Sequence, residues 1–182
     1  MSNASTMMPR QLDMSIVDIE KATQRILYLD FDGVLHDEAV YFHPRRGIYI
    51  ETAERSLFEW MPILEKLLAA YPDVSIVLST SWVLARDYEF AKEQLSPILQ
   101  ARAIGATFHS EVMQKEEFIR KSRGQQIAED VERRAPKSWF ALDDDYLDWP
   151  NNCKDRLIRT FGDKGISDTA VQASILRMLA KL

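Results

Sequence analysis

The chain has 182 residues, enough for one domain with a substantial core, and an ordinary composition of 46% hydrophobic and 28% charged residues. A formal net charge of -5 argues against a dedicated DNA-binding surface, and no apolar run approaches the roughly 20 residues that span a bilayer. The single cysteine, Cys153, excludes an internal disulfide and a thiolate metal cluster. Met1 to Met14 lacks the basic-then-apolar pattern of a secretion signal, so a cytoplasmic protein without a membrane partner is expected.

Residues 1–24 are polar and dotted with methionine, and read as a weakly ordered leader. Residues 25–182 read as a single α/β domain. Its first strand, at about 26–30, is the apolar run Ile26-Leu27-Tyr28-Leu29, which ends in Asp30-Phe31-Asp32-Gly33. Taken alone, those acids read equally well as the cap of a strand and an Asp-Gly turn. The stretch from His36 to Glu51 is too short for a domain and reads as an arm or small hairpin over the strand's end.

Leu57, Trp60, Met61, Leu64, Leu67 and Leu68 recur at helical spacing and predict an amphipathic helix over 52–70. Ser56 and Glu59 have capping-box spacing, and Pro62 must lie in the first turn or kink the helix. A second strand, Val74 to Leu78, runs into Ser79-Thr80. Helical stretches follow at 84–95 and after Ser96-Pro97, then a short third strand at 104–108. The polar loop 109–122 leads into a helix at 124–135. The fourth strand, Ser138 to Leu142, runs straight into Asp143-Asp144-Asp145, and a fifth covers 157–161. Ser167-Asp168 caps a final helix whose Val171, Ile175, Met178 and Leu179 share a face. Strands alternating with helices imply a doubly wound parallel sheet covered on both faces.

Three strands therefore end in chemically active residues: Asp30 and Asp32, Ser79 and Thr80, Asp143 and Asp144. If the second and fourth strands flank the first, all converge on one crevice at a switch point of the sheet. Crowded carboxylates either take raised pKa values or bind a cation. Hard oxygen ligands without histidine or thiolate suit Mg²⁺. A carboxylate attacking a phosphate dianion needs the same neutralisation. The set reads as covalent phosphoryl transfer through an acyl phosphate.

Asp30-Phe31-Asp32-Gly33-Val34-Leu35, the strand end Ser79-Thr80 and Asp143-Asp144 resemble motifs one, two and four of the haloacid dehalogenase (HAD)-like superfamily, in the expected order over about residues 26–148. Val77 to Trp82, Arg123-Gly124 before a helix and Trp139 to Asp145 are similar to the small HAD domains of bacterial RNA-repair-associated proteins. The resemblance implies a Rossmann-like core with strand order 5-4-1-2-3. It also implies Asp30 as nucleophile and Asp32 as general acid and then base. Mg²⁺ would be held by side-chain oxygens of Asp30 and Asp143, by Asp144 directly or through water, and by the backbone carbonyl of Asp32. Ser79 or Thr80 would bind the phosphoryl group.

Two departures from the family pattern stand out. Motif three usually supplies a lysine just before a helix; here Arg123 holds that place and Lys121 lies two residues earlier. Either supplies the charge, and arginine also binds phosphate bidentately. Second, no large cap domain is present, so either the phosphorylated substrate is large (a nucleic-acid end or a protein) or a second subunit of a homo-oligomer covers the site. The expected function is Mg²⁺-dependent hydrolysis of an exposed phosphomonoester on a nucleic-acid end, a nucleotide or a phosphoprotein. The alternative is a phosphate-responsive regulatory domain that turns over weakly or not at all. A receiver domain fits less well, because its acid lies on the third strand, where this chain has Thr107 and Phe108. His43, Arg45 and Arg46 read as a solvated basic loop before contacts to substrate phosphates, His36 and His109 as structural, and Trp82 and Trp149 as packing against the sheet edge before stacking on a base.

Overall fold

The computed structural model describes residues 24–182, so the expected leader lies outside the described residues but for Gln24. The core strands are β1 (Arg25–Leu29), β4 (Val74–Leu78), β5 (Ala103–Ala106), β6 (Ser138–Asp143) and β7 (Leu157–Arg159). The strands β2 (Val40–His43) and β3 (Gly47–Ile50) form a separate antiparallel hairpin. Across the sheet the order is β5-β4-β1-β6-β7, with every neighbouring pair parallel. Counting core strands alone, this is 3-2-1-4-5, the expected order read from the opposite edge.

β1 sits at the centre, and Ile26 to Leu29 are fully buried, as a parallel strand covered on both faces requires. Alternation along it divides the interior. Leu27 and Leu29 join Leu64, Leu68, Ile76, Leu78, Phe140, Leu142 and Ile175 on one face. Ile26 and Tyr28 join Val77, Ile127, Ala141 and Trp149 on the other. The first face is covered by helix α1 (Met61–Leu68) and the C-terminal helix α7 (Thr169–Leu179). The second is covered by α6 (Arg123–Arg134). Buried Asp130 of α6 accepts hydrogen bonds from Tyr28 Oη at 2.9 Å and from Arg133 and Arg134 at 2.8 and 2.6 Å. Both arginines also reach carbonyls at the end of β5, which ties that helix to the sheet.

Local chemistry shortens several expected elements. The helix expected over 52–70 begins only at Met61, because Glu54 and Phe58 take left-handed φ values of 67° and 60°. Ser56 and Glu59 form a backbone turn rather than a capping box, and Pro62 lies in the first turn. The stretch 84–95 splits into α2 (Ser81–Ala85) and α3 (Tyr88–Glu93), because Asp87 leaves the helix to cap Phe90 N–H at 2.7 Å. Pro97–Gln100 forms α4. The loop 109–122 carries a short helix, α5 (Lys115–Phe118). β5 and β7 stop earlier than the apolar pattern predicts. Among the described residues, no helix is long and apolar enough to cross a membrane.

Candidate active site

The register of the sheet brings three strand ends level. Leu29 of β1 pairs with Leu78 of β4 and with Leu142 of β6, so the next residue on each strand is Asp30, Ser79 or Asp143. The ladder continues one step: Asp30 N–H donates to Leu142 O at 3.1 Å and Ser79 N–H donates to Leu29 O at 2.8 Å. All three side chains are buried: Asp30 is 4% exposed, Ser79 1% and Asp143 0%. Carboxylate oxygens of Asp30, Asp143 and Asp144 lie within 4.8 Å of one another. Asp144 approaches this close because Gly33, at φ 65°, has no side chain; a Cβ there would meet Asp144 Oδ2 at 2.5 Å.

Burial pushes the Asp30 carboxyl up to about 7, and the charges of Asp32 and Asp144 add to this; Arg123 and the Phe31 N–H oppose it. Asp143 is raised well above the usual carboxylate range by burial and then by Asp30, against Arg123. Asp144 is raised by burial and by Glu38. Asp143 Oδ2 is buried without a hydrogen-bond partner. Arg123 Nε lies 3.2 Å from it, so the two attract as charges without an aligned N–H. Three clustered carboxylates with an orphaned buried oxygen fit a small, hard divalent cation such as Mg²⁺.

Arg123 is the first residue of α6 and reaches Asp30 Oδ2 with Nη2 at 3.4 Å. Its placement is built locally. Ser122 caps α6 in a reciprocal box with Gln125, and Ser122 Oγ donates to Asp148 O at 2.8 Å. Trp149 Nε1 donates to Asp145 O at 2.8 Å, so the loop after β6 holds the helix start. Lys121 is not brought to the cluster: its ammonium pairs with Glu129 of α6 at 2.7 Å. At the second strand end the two hydroxyls separate. Thr80 caps α2 by accepting Trp82 N–H at 3.4 Å, whereas Ser79 Oγ is buried without a partner.

Asp32 stands apart from the clustered carboxylates and is partly exposed, its side chain 28% accessible. Its Oδ1 lies 3.0 Å from His36 Nε2 and 2.9 Å from Trp82 Nε1, and Ser81 Oγ is 3.4 Å from Oδ2. The pattern of the chain predicts structural roles for His36 and Trp82 first. Both are buried, as expected, yet both also bind the second aspartate. The available signal was a histidine four residues after an acid, across a glycine turn and directly after the apolar pair Val34-Leu35.

Above the cluster the chain is sparse. Between β1 and α1 the described residues form only the β2–β3 hairpin, and between β5 and α6 only α5. A groove of about 240 Å³ borders Asp32, lined by Val40, Tyr41, Phe42, Ser81, Trp82 and Arg86 among others. Larger cavities of about 420 and 850 Å³ lie beside α7 and beside α2 and α5, and hold none of the clustered acids. Comparison with curated proteins and with solved structures returned no match to either. Residues 26–171 match the sequence model of the HAD domain in Swiss Army Knife RNA repair proteins, and the chain belongs to that family, which makes it a HAD-type phosphohydrolase at the level of the superfamily.

Proposed function

We propose that the protein hydrolyses an exposed phosphomonoester through an aspartyl-phosphate intermediate on Asp30. The observation that carries this reading is the level placement of Asp30, Ser79 and Asp143 on three adjacent strand ends, with Arg123 over two of them. An Asp30 carboxylate oxygen attacks phosphorus, forming the O–P bond as the bond to the leaving oxygen breaks, and Asp32 gives that oxygen its proton. Asp32 then takes a proton from water, whose oxygen attacks phosphorus and frees phosphate and Asp30. The unpartnered Ser79 hydroxyl is free to donate to the phosphoryl group, and the Arg123 guanidinium balances its charge. Thr80 and Lys121 have other local partners, which favours Ser79 and Arg123 for these roles.

Side chains of Asp30, Asp143 and Asp144, with the carbonyl of Asp32, would hold Mg²⁺. When bound, the ion supplies the positive charge that lets an anionic nucleophile approach an anionic phosphate. The raised carboxyls and the orphaned Asp143 oxygen support that role. The open approach supports a large substrate or a covering second subunit, and the family's association with RNA repair favours a nucleic-acid end.

Asp30→Asn is expected to abolish Mg²⁺-dependent release of phosphate from a generic aryl phosphate, with circular dichroism unchanged. Turnover by that variant would sink the assignment. A folded wild type that binds phosphate without hydrolysing any ester would instead favour a phosphate-responsive regulatory domain.

A further inference from the structure

The surroundings of Asp32 carry more information than its position in the motif. His36 is fully buried, and both ring nitrogens have partners. Nδ1 accepts the Phe58 N–H at 3.2 Å, so Nδ1 holds a lone pair and the ring proton resides on Nε2. Nε2 is therefore a donor to Asp32 Oδ1, beside the indole N–H of Trp82. Phe58 adopts its left-handed φ of 60° while making this bond, a conformation that bulky residues rarely take. The rings are fixed by edge packing: His36 on Phe58 at 4.8 Å, Phe58 on Trp82 at 5.4 Å, and Phe31 against both Phe58 and Trp82 at 5.2 and 5.7 Å.

We propose that His36 and Trp82 are positioning residues that hold Asp32 by Oδ1, so that Oδ2 is the oxygen that gives and receives the catalytic proton. A proton on Oδ1 would face two N–H donors and cost both hydrogen bonds, whereas Oδ2 meets only the Ser81 hydroxyl, and Asp32 lines the groove. In the forward step the Oδ2–H bond breaks as the leaving oxygen gains its proton; in the second step Oδ2 takes a proton from water. The proposal rests on the reading of Asp32 as acid and base.

The test compares kcat/KM for phenyl phosphate, whose leaving group needs a proton, with 2,4-dinitrophenyl phosphate, whose leaving group does not. Because kcat/KM covers only the steps through phosphoryl transfer, the later hydrolysis does not blur it. Asp32→Asn should lower the phenyl value by roughly 10²–10⁴-fold and spare the dinitrophenyl value. Trp82→Phe and His36→Phe should show the same selectivity at roughly tenfold. His36→Gln, which keeps one acceptor and one N–H donor, should recover most of the loss. Thermal midpoints accompany each variant, and Trp82→Phe decides alone if His36→Phe does not fold. Equal losses on both esters, or none, in Trp82→Phe while Asp32→Asn discriminates would overturn the positioning role. An Asp32→Asn variant that does not discriminate, or a wild type inert on both esters, would overturn the acid-base reading and this proposal with it.

Discussion

Asp30 is buried beside other acids, and its carboxyl titrates near 7 rather than in the usual carboxylate range. Between about pH 4, the value for an unfolded aspartate, and about 7, the folded chain therefore holds a proton that the unfolded chain has lost. Folding is favoured below that window and loses this contribution as pH rises through it. Asp143, raised in the same direction by burial and Asp30, adds to the trend. Metal-free Asp30→Asn should consequently melt above the wild type, by more at pH 7.5 than at pH 5. The expected gain at the higher pH is roughly 1–4 kcal/mol, with a chain of this size shifting about 2–4 °C for each. Melting curves at the two pH values check it, and a pH-independent difference would mean that the Asp30 charge is not the source. The same residue that would act as nucleophile is thus a stability cost in the absence of a cation.

At the scale of elements, the site depends on how closely α6 approaches the loop after β6. Gly124 is the contact point: a Cβ there would meet Trp149 Cγ at 2.6 Å and Pro150 Cδ at 2.9 Å. Trp149 is itself buried and hydrogen-bonded, so the ring cannot swing clear. Glycine to alanine within a helix usually stabilises, by up to about 1 kcal/mol. Here Gly124→Ala should destabilise by roughly 1–3 kcal/mol through overpacking and lift Arg123 away from Asp30 and Asp143. A lower thermal midpoint together with reduced phosphate release would be observed. A raised midpoint with full activity would show that Trp149 yields, and that the approach does not position the arginine.

For the whole molecule, two requirements meet at one edge of the sheet. The fold needs β1 buried on both faces, and the proposed chemistry needs three acids at the adjoining ends of β1 and β6. A cation on Asp30, Asp143 and Asp144 would relieve the resulting repulsion and bind only the folded chain. Mg²⁺ should therefore raise the thermal midpoint in proportion to the logarithm of its excess over Kd. The rise should be larger at pH 7.5 than at pH 5, because the ligands must be deprotonated. Asp143→Asn should reduce the Mg²⁺-dependent part. A midpoint unchanged by Mg²⁺ at either pH would argue against a metal on these three acids.

Much of this was legible in the sequence. An apolar run cut by Asp30-Phe31-Asp32-Gly33, and two further apolar runs cut by Ser79 and Asp143, mark strand ends because hydrophobic patterning is local and the middle of a buried strand disfavours polar and charged groups. Helix 52–70 comes out shorter and 84–95 as two helices, because spacing does not register the left-handed turns at Glu54 and Phe58, or the competition of Asp87 for a backbone N–H. The choice of Arg123 over Lys121, and of Ser79 over Thr80 as the unpartnered hydroxyl, lay beyond a linear reading. Residues one or two apart have equal chemistry on paper, and only the helix start and the strand register decide which side chain faces the crevice. The hold of Trp82 on Asp32 was equally hidden, since it joins residues 50 positions apart, whereas His36, four residues after Asp32, left a local signal. Chemical character was thus determined along the chain. Which groups meet, and which oxygen of Asp32 faces two N–H donors, only tertiary packing decided, because hydrogen bonds between distant segments form where the sheet and its loops bring them.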